Sequence, residues 1–296
     1  MATEPGWDLY RSFLAVLREG SLSGAARALA LTQPTIGRHV EALEQALGLP
    51  LFTRSGQGLA PTEAAHGLRP HAEALEAAAA ALLRAASGWK EEAAGTVRLT
   101  ASEVIGAEVL PPILARLHEE HPGLTLELVL SNQAADLLRR DADIAIRMLR
   151  PAQAALVARR VGTIEIGLHA HADYLRRHGT PQDWAALGRH RVIGFDRASP
   201  FIRGVLARFP QLRPERFALR TDSDLAQLAA IRAGCGIGFC QAGLARRDPA
   251  LFRVLPAVSF VLETWVVMHE DLRASPACRL AFDALAAGLA EYAADA

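Results

Sequence analysis

Residues 20–65 read GSLSGAARALALTQPTIGRHVEALEQALGLPLFTRSGQGLAPTEAA, and this stretch decides how the amino-terminal part of the chain folds. Ser21 and Ser23 offer capping oxygens ahead of a short alanine-rich helix, Gly24 to Leu29. The small side chains of Ala25, Ala26 and Ala28 admit a close neighbour. After a turn at Ala30-Leu31, Thr32 is a good N-cap, and Pro34 falls in a first helical turn, where its missing N–H costs nothing. The spacing predicts a helix from about Gln33 to Leu47, with Ile36, Val40, Leu43 and Leu47 facing inward and Gly48 as its stop. Upstream, Trp7, Tyr10, Phe13, Leu14 and Leu17 recur at helical spacing and predict a first helix ending at Gly20. Downstream, Leu49-Pro50-Leu51-Phe52 leads into Thr53 to Leu59, which reads as a short hairpin with a glycine-rich tip.

Two short helices joined by a tight turn, the second opening on polar side chains, form helix-turn-helix geometry. Thr32, Gln33, Thr35, Arg38 and His39 are the exposed early positions of that second helix. Glutamine pairs bidentately with adenine, arginine reaches guanine or phosphate, and threonine methyls touch thymine. Arg54, at the base of the hairpin, is placed to reach a phosphate or the minor groove. A lone arginine is as well explained by solvation, but the block as a whole is far more specific. It resembles the LysR-type transcriptional regulators almost residue for residue, with Thr32-Gln33-Pro34, Arg38 and Leu51-Phe52-Thr53-Arg54 in the places that the family fills. Gly37 departs from the pattern, because the family commonly carries serine there, and a mid-helix glycine costs about 1 kcal/mol relative to alanine. The resemblance implies a winged helix-turn-helix over residues 1–62 that reads an inverted-repeat, double-stranded operator. Thr32, Gln33, Pro34, Thr35, Arg38, His39 and Arg54 are its candidate DNA contacts.

Pro61-Thr62 marks the start of a further helix, assigned to residues 63–92 as a linker. Its alanine-dominated second half has the highest intrinsic helix propensity. Pro70 predicts a kink or break near Leu68 or Arg69. Leu68, Ala72, Leu75, Ala79 and Leu82 make an apolar stripe that a lone helix cannot bury. In the LysR-type family this segment forms an antiparallel coiled coil, so the resemblance implies a homodimer and, from pairs of dimers, a homotetramer.

From Gly95 the texture changes to strand alternating with helix, which predicts a parallel α/β sheet. Strands are expected at Thr96–Thr100, Leu124–Leu130, Ile144–Ile146, Ile164–His169, Val192–Phe195, Phe217–Arg220, Ile237–Cys240 and Val261–His269. Helices are expected at Val104–Glu120, Ala134–Arg140, Asp173–His178, Asp224–Ala233 and Cys278–Tyr292. Leu110-Pro111, Ala142 to Arg147, Tyr174-Leu175 with His178 to Pro181, and Ala233 to Gly238 resemble the LysR-type effector domain. That resemblance implies a two-lobed fold like the periplasmic solute-binding proteins over residues 93–296. The first lobe would take about 93–162 and 266–296 and the second about 163–265, with crossings near Gly162 and Trp265. In such folds ligands lie beyond the carboxyl ends of strands and at helix amino termini. The candidate effector residues are therefore Ser102, Glu103, Ser131, Asn132 and Arg147 from the first lobe, and Phe195, Thr221 and Asp222 from the second. Glu103 and Asp222 are unusual there and argue against a simple anion pocket, leaving a cationic or amphoteric effector open; helix capping is the plainer account of Ser102 or Asp222.

Composition narrows the field. The 296 residues are 51% hydrophobic with a formal net charge of +0, so a nucleic-acid binder must concentrate its cations locally. Lys90 is the only lysine. Cys235, Cys240 and Cys278 are too few for a disulfide scaffold and lack metal-site spacing, and the histidine pairs lack a third ligand. Gly234 to Gly238 lies between helix and strand, the reverse of a dinucleotide fingerprint, so no cofactor is implied. No nucleophile, metal or cofactor motif supports an enzyme. Met1 to Trp7 is polar and acidic, and no apolar run reaches membrane-spanning length, so a cytoplasmic protein without membrane attachment is expected. The expected function is thus an effector-modulated transcriptional regulator, with RNA polymerase a further candidate partner. The alternatives are a DNA-independent small-molecule-binding α/β protein, and a regulator switched by oxidation of Cys235 and Cys240.

Overall fold

The computed structural model describes residues 4–55, 58–87, 94–132, 142–150, 156–197 and 199–295. The chain divides into two units, one ending at Leu83 and the other beginning at Arg84. In the first, α1 (Trp7–Glu19), α2 (Leu22–Leu29) and α3 (Gln33–Leu47) precede a hairpin of β1 (Phe52–Ser55) and β2 (Gly58–Pro61), followed by α4 (Glu63–Ser87).

The three-helix core follows the predicted periodicity: Phe13, Leu14 and Val16 of α1 are buried with Ala25, Ile36, Val40 and Leu43. Two refinements stand out. Helix α2 starts two residues earlier than Gly24 because Ser21 is the cap, its hydroxyl accepting from the Gly24 amide at 3.1 Å. Gly24 itself marks a close approach, since a Cβ there would lie 2.8 Å from the Glu19 Cβ. Helix α4 also runs unbroken through Pro70, where a break is expected from sequence. A proline in a helix forfeits one hydrogen bond. Here burial of Ala65 and Ala72, with Leu68 packed alongside, anchors the helix on both sides of it.

The second unit contains β3 (Gly95–Ala101), a π-helical turn (Ile105–Val109), α5 (Leu110–Glu120), β4 (Leu124–Leu130) and β5 (Ile144–Arg147). There follow β6 (Leu156–His171), α6 (Ala172–His178), α7 (Trp184–Leu187), β7 (Val192–Gly194) and α8 (Pro200–Arg208). A 3-10 turn (Pro214–Arg216) leads to β8 (Phe217–Arg220), α9 (Asp224–Arg232), β9 (Ile237–Gln241), α10 (Ala242–Arg247) and β10 (Leu251–Arg253). The chain closes with β11 (Ser259–His269) and α11 (Pro276–Ala294). The helix expected at Ala134–Arg140 lies outside the described residues.

Among the described residues these strands hydrogen-bond in the order β4-β3-β5-β11-β6-β9-β7-β8, with β10 also on β6. The sheet is mixed, where a parallel one is expected. Parallel pairing holds on the flanks, β3 with β4 and β5, and β7 with β8 and β9. The centre is antiparallel: β11 pairs with both β5 and β6, and β6 with β9. Strand β6 begins eight residues before the expected Ile164, because Leu156 to Gly162, interrupted by Arg159 and Arg160, carries no regular apolar alternation. Its Arg160 pairs with Glu263 at 3.2 Å. Gly162 faces Thr264 beside a register shift, with φ at +150°, and a Cβ there would stand 2.5 Å from that of Ala293. The two-lobed architecture is therefore two small parallel groups joined by one long antiparallel ribbon.

Gly37 sits where a side chain is free to enter: an added Cβ meets only the Leu22 Cδ1, at 3.9 Å. Gly37→Ala is therefore expected to stabilise the first unit by about 1 kcal/mol. Urea unfolding followed by circular dichroism reads this, and a lower midpoint would mean that the glycine has a packing role.

Candidate nucleic-acid interface and interlobe cleft

The opening turn of α3 presents Thr32, Gln33 and Pro34 to solvent. Each has a local fastening. The Thr32 hydroxyl accepts from the Thr35 amide at 3.3 Å and lies 2.8 Å from the Thr35 hydroxyl. The Gln33 Oε1 accepts from the Ser23 hydroxyl at 2.9 Å, tying the tip of α3 to α2. Arg38 is exposed one turn on, its Nε donating to the Pro34 carbonyl at 3.4 Å. His39 departs from the expected set. Its Nδ1 lies 2.8 Å from the hydroxyl of Ser12, which is fully buried, so the ring points inward and braces α3 on α1. The inward turn follows from helical phase, since His39 adjoins Val40 on the edge of the buried face.

The hairpin is held by Glu44, which the sequence does not single out, and by Thr62, expected only as a helix start. Glu44 Oε1 accepts from the amides of Leu51 and Phe52, at 2.6 and 3.0 Å. Thr62 donates to the Pro50 carbonyl at 2.8 Å and caps α4 through the Ala65 amide at 3.2 Å. Glu44 reads in sequence as an ordinary solvated carboxylate of a helix, and only the return of the chain after Gly48 gives it work. Arg54 pairs with Leu59 through the backbone register of β1 and β2, and its side chain lies outside the described residues.

In the second unit, the loops after β3 and β4 meet the amino terminus of α9. Glu103 Oε2 accepts from the Ser223 hydroxyl at 2.9 Å and the Leu225 amide at 3.4 Å. The Glu103 amide donates to Asn132 Oδ1 at 3.2 Å, while Asn132 Nδ2 donates to Asp224 Oδ2 at 3.0 Å. At the other end of α9, Arg232 forks onto Glu108 at 2.7 and 2.8 Å. Glu103 and Asn132 are thus brought together with the second lobe. Ser102 and Ser131 flank them, and the Ser131 amide donates to the Ala101 carbonyl at 2.8 Å. Arg147 instead folds back on its own lobe, donating to the Thr100 hydroxyl at 3.1 Å. Phe195 is half-buried, and Thr221 Oγ1 accepts from the Ser223 amide at 3.2 Å. Asp222 is exposed and makes none of these bonds among the described residues.

Asp224 is the α9 carboxylate that meets the first lobe, through Asn132, while Asp222 stays exposed. Burial, reinforced by the nearby Glu103 carboxylate and opposed by the Asn132 hydrogen bond, pushes the pKa of Asp224 up to about 6. The sequence hides this, because an acid in the first turn of a helix is ordinary dipole complementation. One turn further, Gln227 is buried with its Nε2 unsatisfied among the described residues. Cys235 is exposed, whereas Cys240 is buried. Burial pushes the Cys240 thiol up to about 12, away from the thiolate that redox chemistry needs. No cluster of metal-ligating side chains occurs among the described residues.

Residues 7–66 match the model of the "bacterial regulatory helix-turn-helix protein, lysR family", and residues 90–290 that of the "LysR substrate binding domain". An HTH-type transcriptional regulator of Xanthomonas campestris is 31% identical over 61% of this chain and 53% of its own length. The HTH-type transcriptional regulator CrgA of Neisseria meningitidis is 30% identical over 62% of this chain and 61% of its own. The chain thus spans about half to three-fifths of the length of these curated relatives. The crystal structure of full-length CbnR complexed with its target DNA shares the fold, at TM-score 0.67 and 20% identity over 96% of this chain and 99% of that one.

Because the folded-state pKa of Asp224 is raised, ionisation destabilises the native state as pH climbs from about 4 to above 6. Asp224→Asn keeps an acceptor for Asn132 and removes the buried charge. It is expected to raise stability at pH 8 by on the order of 1 kcal/mol, after allowance for solvent screening, and to change nothing near pH 4. Thermal unfolding across that range measures it, and a gain independent of pH would show that charge is not the cause.

Proposed function

Because the chain belongs to the LysR family of transcriptional regulators, we propose that it binds double-stranded DNA at an inverted repeat and responds to a small molecule held between its lobes. The observation that carries the reading is the opening turn of α3, whose Thr32, Gln33, Thr35 and Arg38 are held on an apolar frame of Ile36, Val40 and Leu43. Residues 1–62 form the DNA-binding domain, with Pro34 setting the first turn and Arg54 on the hairpin as a phosphate or minor-groove contact. His39 acts as a brace rather than a base contact.

Residues 63–92 act as the dimerisation segment. Ala72 is buried, whereas Leu75, Leu82 and Leu83 are 47%, 69% and 70% exposed, so the second half of α4 carries apolar surface that one chain leaves uncovered. A second copy covers it, and pairs of dimers complete a tetramer. The effector domain is 93–296, its lobes divided at about Gly162 and Trp265. Glu103 and Asn132, with Ser102 and Ser131 next to them in the chain, offer the first lobe's effector contacts, and Ser223 and Asp224 stand opposite, near Asp222. Effector binding shifts the population between states that differ in DNA bending and polymerase recruitment. The protein acts without catalysis, in the cytoplasm; no helix among the described residues is long and apolar enough to cross a membrane.

Arg38→Ala is expected to weaken binding to genomic fragments selected by the wild-type protein by about 1–3 kcal/mol. Filter binding across a salt series checks it, and unchanged affinity at every salt would remove Arg38 from the interface. Replacing Leu82 and Leu83 by glutamate is expected to shift the sedimentation profile toward monomer. A profile unaltered by both charges would place the subunit interface elsewhere.

A further inference from the structure

The second lobe contains a cavity of about 340 Å³ on the side of the β7–β8 pair away from the interlobe cleft. Val192 and Phe217, which line it, are the first residues of these parallel strands. Phe195 and Thr221, assigned to the cleft, follow their last residues. Two strands of three and four residues, about 10–14 Å of chain, therefore separate the two places.

The wall of the cavity is apolar and aromatic. Trp184, Leu212 and Phe217 contribute to it, and Trp184 is braced by Phe209 at 6.2 Å between ring centroids. Two cations, Arg213 and Arg216, also line it. The Arg213 carbonyl accepts from the Arg216 amide at 2.9 Å across the 3-10 turn. Arg213, the extended residue ahead of the turn, and Arg216, its last residue, both reach the cavity wall.

Several arginines of the unit are neutralised by acids. Arg98, Arg116, Arg159, Arg160, Arg232 and Arg253 each pair with a carboxylate. Arg213 and Arg216 have no such partner among the described residues, and no acidic side chain lines the cavity. Guanidinium groups match carboxylates bidentately and stack on aromatic faces. His190 stands on the same wall, 3.3 Å from the Tyr174 hydroxyl. Burial and the neighbouring His178 and Arg189 lower its pKa, so at neutral pH it offers hydrogen bonding without charge.

We propose that this cavity is a second small-molecule site, which takes a carboxylate on an aromatic frame and engages it through Arg213 and Arg216. The volume lies near the lower end of ordinary ligand pockets and suits one or two fused rings. The site is distinct from the interlobe cleft and does not depend on what binds there.

The test is 19F NMR of the full chain labelled with 5-fluorotryptophan, titrated with 2-naphthoate. Trp184→Phe assigns its resonance among the four tryptophans. The Trp184 signal is expected to shift saturably. The double variant Arg213→Ala, Arg216→Ala, with its thermal midpoint checked, should weaken that titration about tenfold or more. Naphthalene-2-methanol, which keeps the shape and lacks the charge, should bind at least as poorly. Asn132→Leu in the cleft should leave the Trp184 titration unchanged. An unmoved Trp184 signal would overturn the proposal. So would a titration indifferent to the double substitution, or one abolished by Asn132→Leu.

Discussion

Strands β6 and β11 form the ribbon on which the larger unit hangs. Backbone pairing between them runs from Ser259 with Gly167 to His269 with Leu156, so each strand serves both lobes. Near its middle, Gly162 adopts a backbone that few residues tolerate, pressed against Ala293 of α11, beside the register shift at Thr264 and Trp265. The ribbon must therefore be continuous in hydrogen bonding and irregular in geometry at one place. On either side lie short parallel strands that could not hold together alone. Val97, Leu99, Ile144 and Ile146 of the first lobe and Ile193, Ile231 and Cys240 of the second join one apolar core with Ile164 and Val266 of the ribbon. Burial of each such side chain contributes about 1.5–3 kcal/mol, which sets the lobes firmly on the ribbon.

The smaller unit solves a different problem with the same economy. Its helices are short, so polar side chains at the tip of α3 can be oriented only if the opposite face is locked. Ile36 and Leu43 are fully buried, Ser12 holds His39, and Ser23 holds Gln33. Glu44 then carries the lock into the hairpin through two backbone amides that would otherwise lack partners.

What the sequence made legible follows from how local the signals are. Helix α3 is bounded by Thr32, Pro34 and Gly48, all next to it in the chain, and its predicted limits coincide with those found. Strands β4 and β8 likewise match residue for residue, because each carries its own apolar run between turns. The first half of β6, with exposed Arg159 and Arg160, has no such pattern and is a strand only because β11 lies beside it. The short helices α7, α8 and α10 fall where the sequence sets no helix. The cleft divided similarly. Loop position points to Glu103 and Asn132, which do meet α9, but the meeting of Asp224 with Asn132 depends on which face of α9 is covered. His39 was placed outward by its neighbours in sequence and turned inward by a serine 27 positions away.

The contacts across the cleft combine one favourable carboxylate with one unfavourable one. Glu103 occupies the amino terminus of α9, where the helix dipole and free amides favour negative charge by about 0.3–1 kcal/mol. Asp224, in the first turn of the same helix, is partly buried beside that charge, and its raised pKa records a penalty of comparable order at neutral pH. Asn132 and the Arg232–Glu108 pair add polar attraction across the cleft. Polar contacts this few are within reach of a ligand's differential affinity, since a shift of 1.4 kcal/mol changes a two-state population about tenfold. An anionic group entering here must displace Glu103 from the helix terminus, whereas a hydrogen-bond donor or a cation would relieve the crowding of the two carboxylates. The cavity at the far end of β7 and β8, lined by Arg213 and Arg216 and by no acid, has the opposite charge character to the cleft.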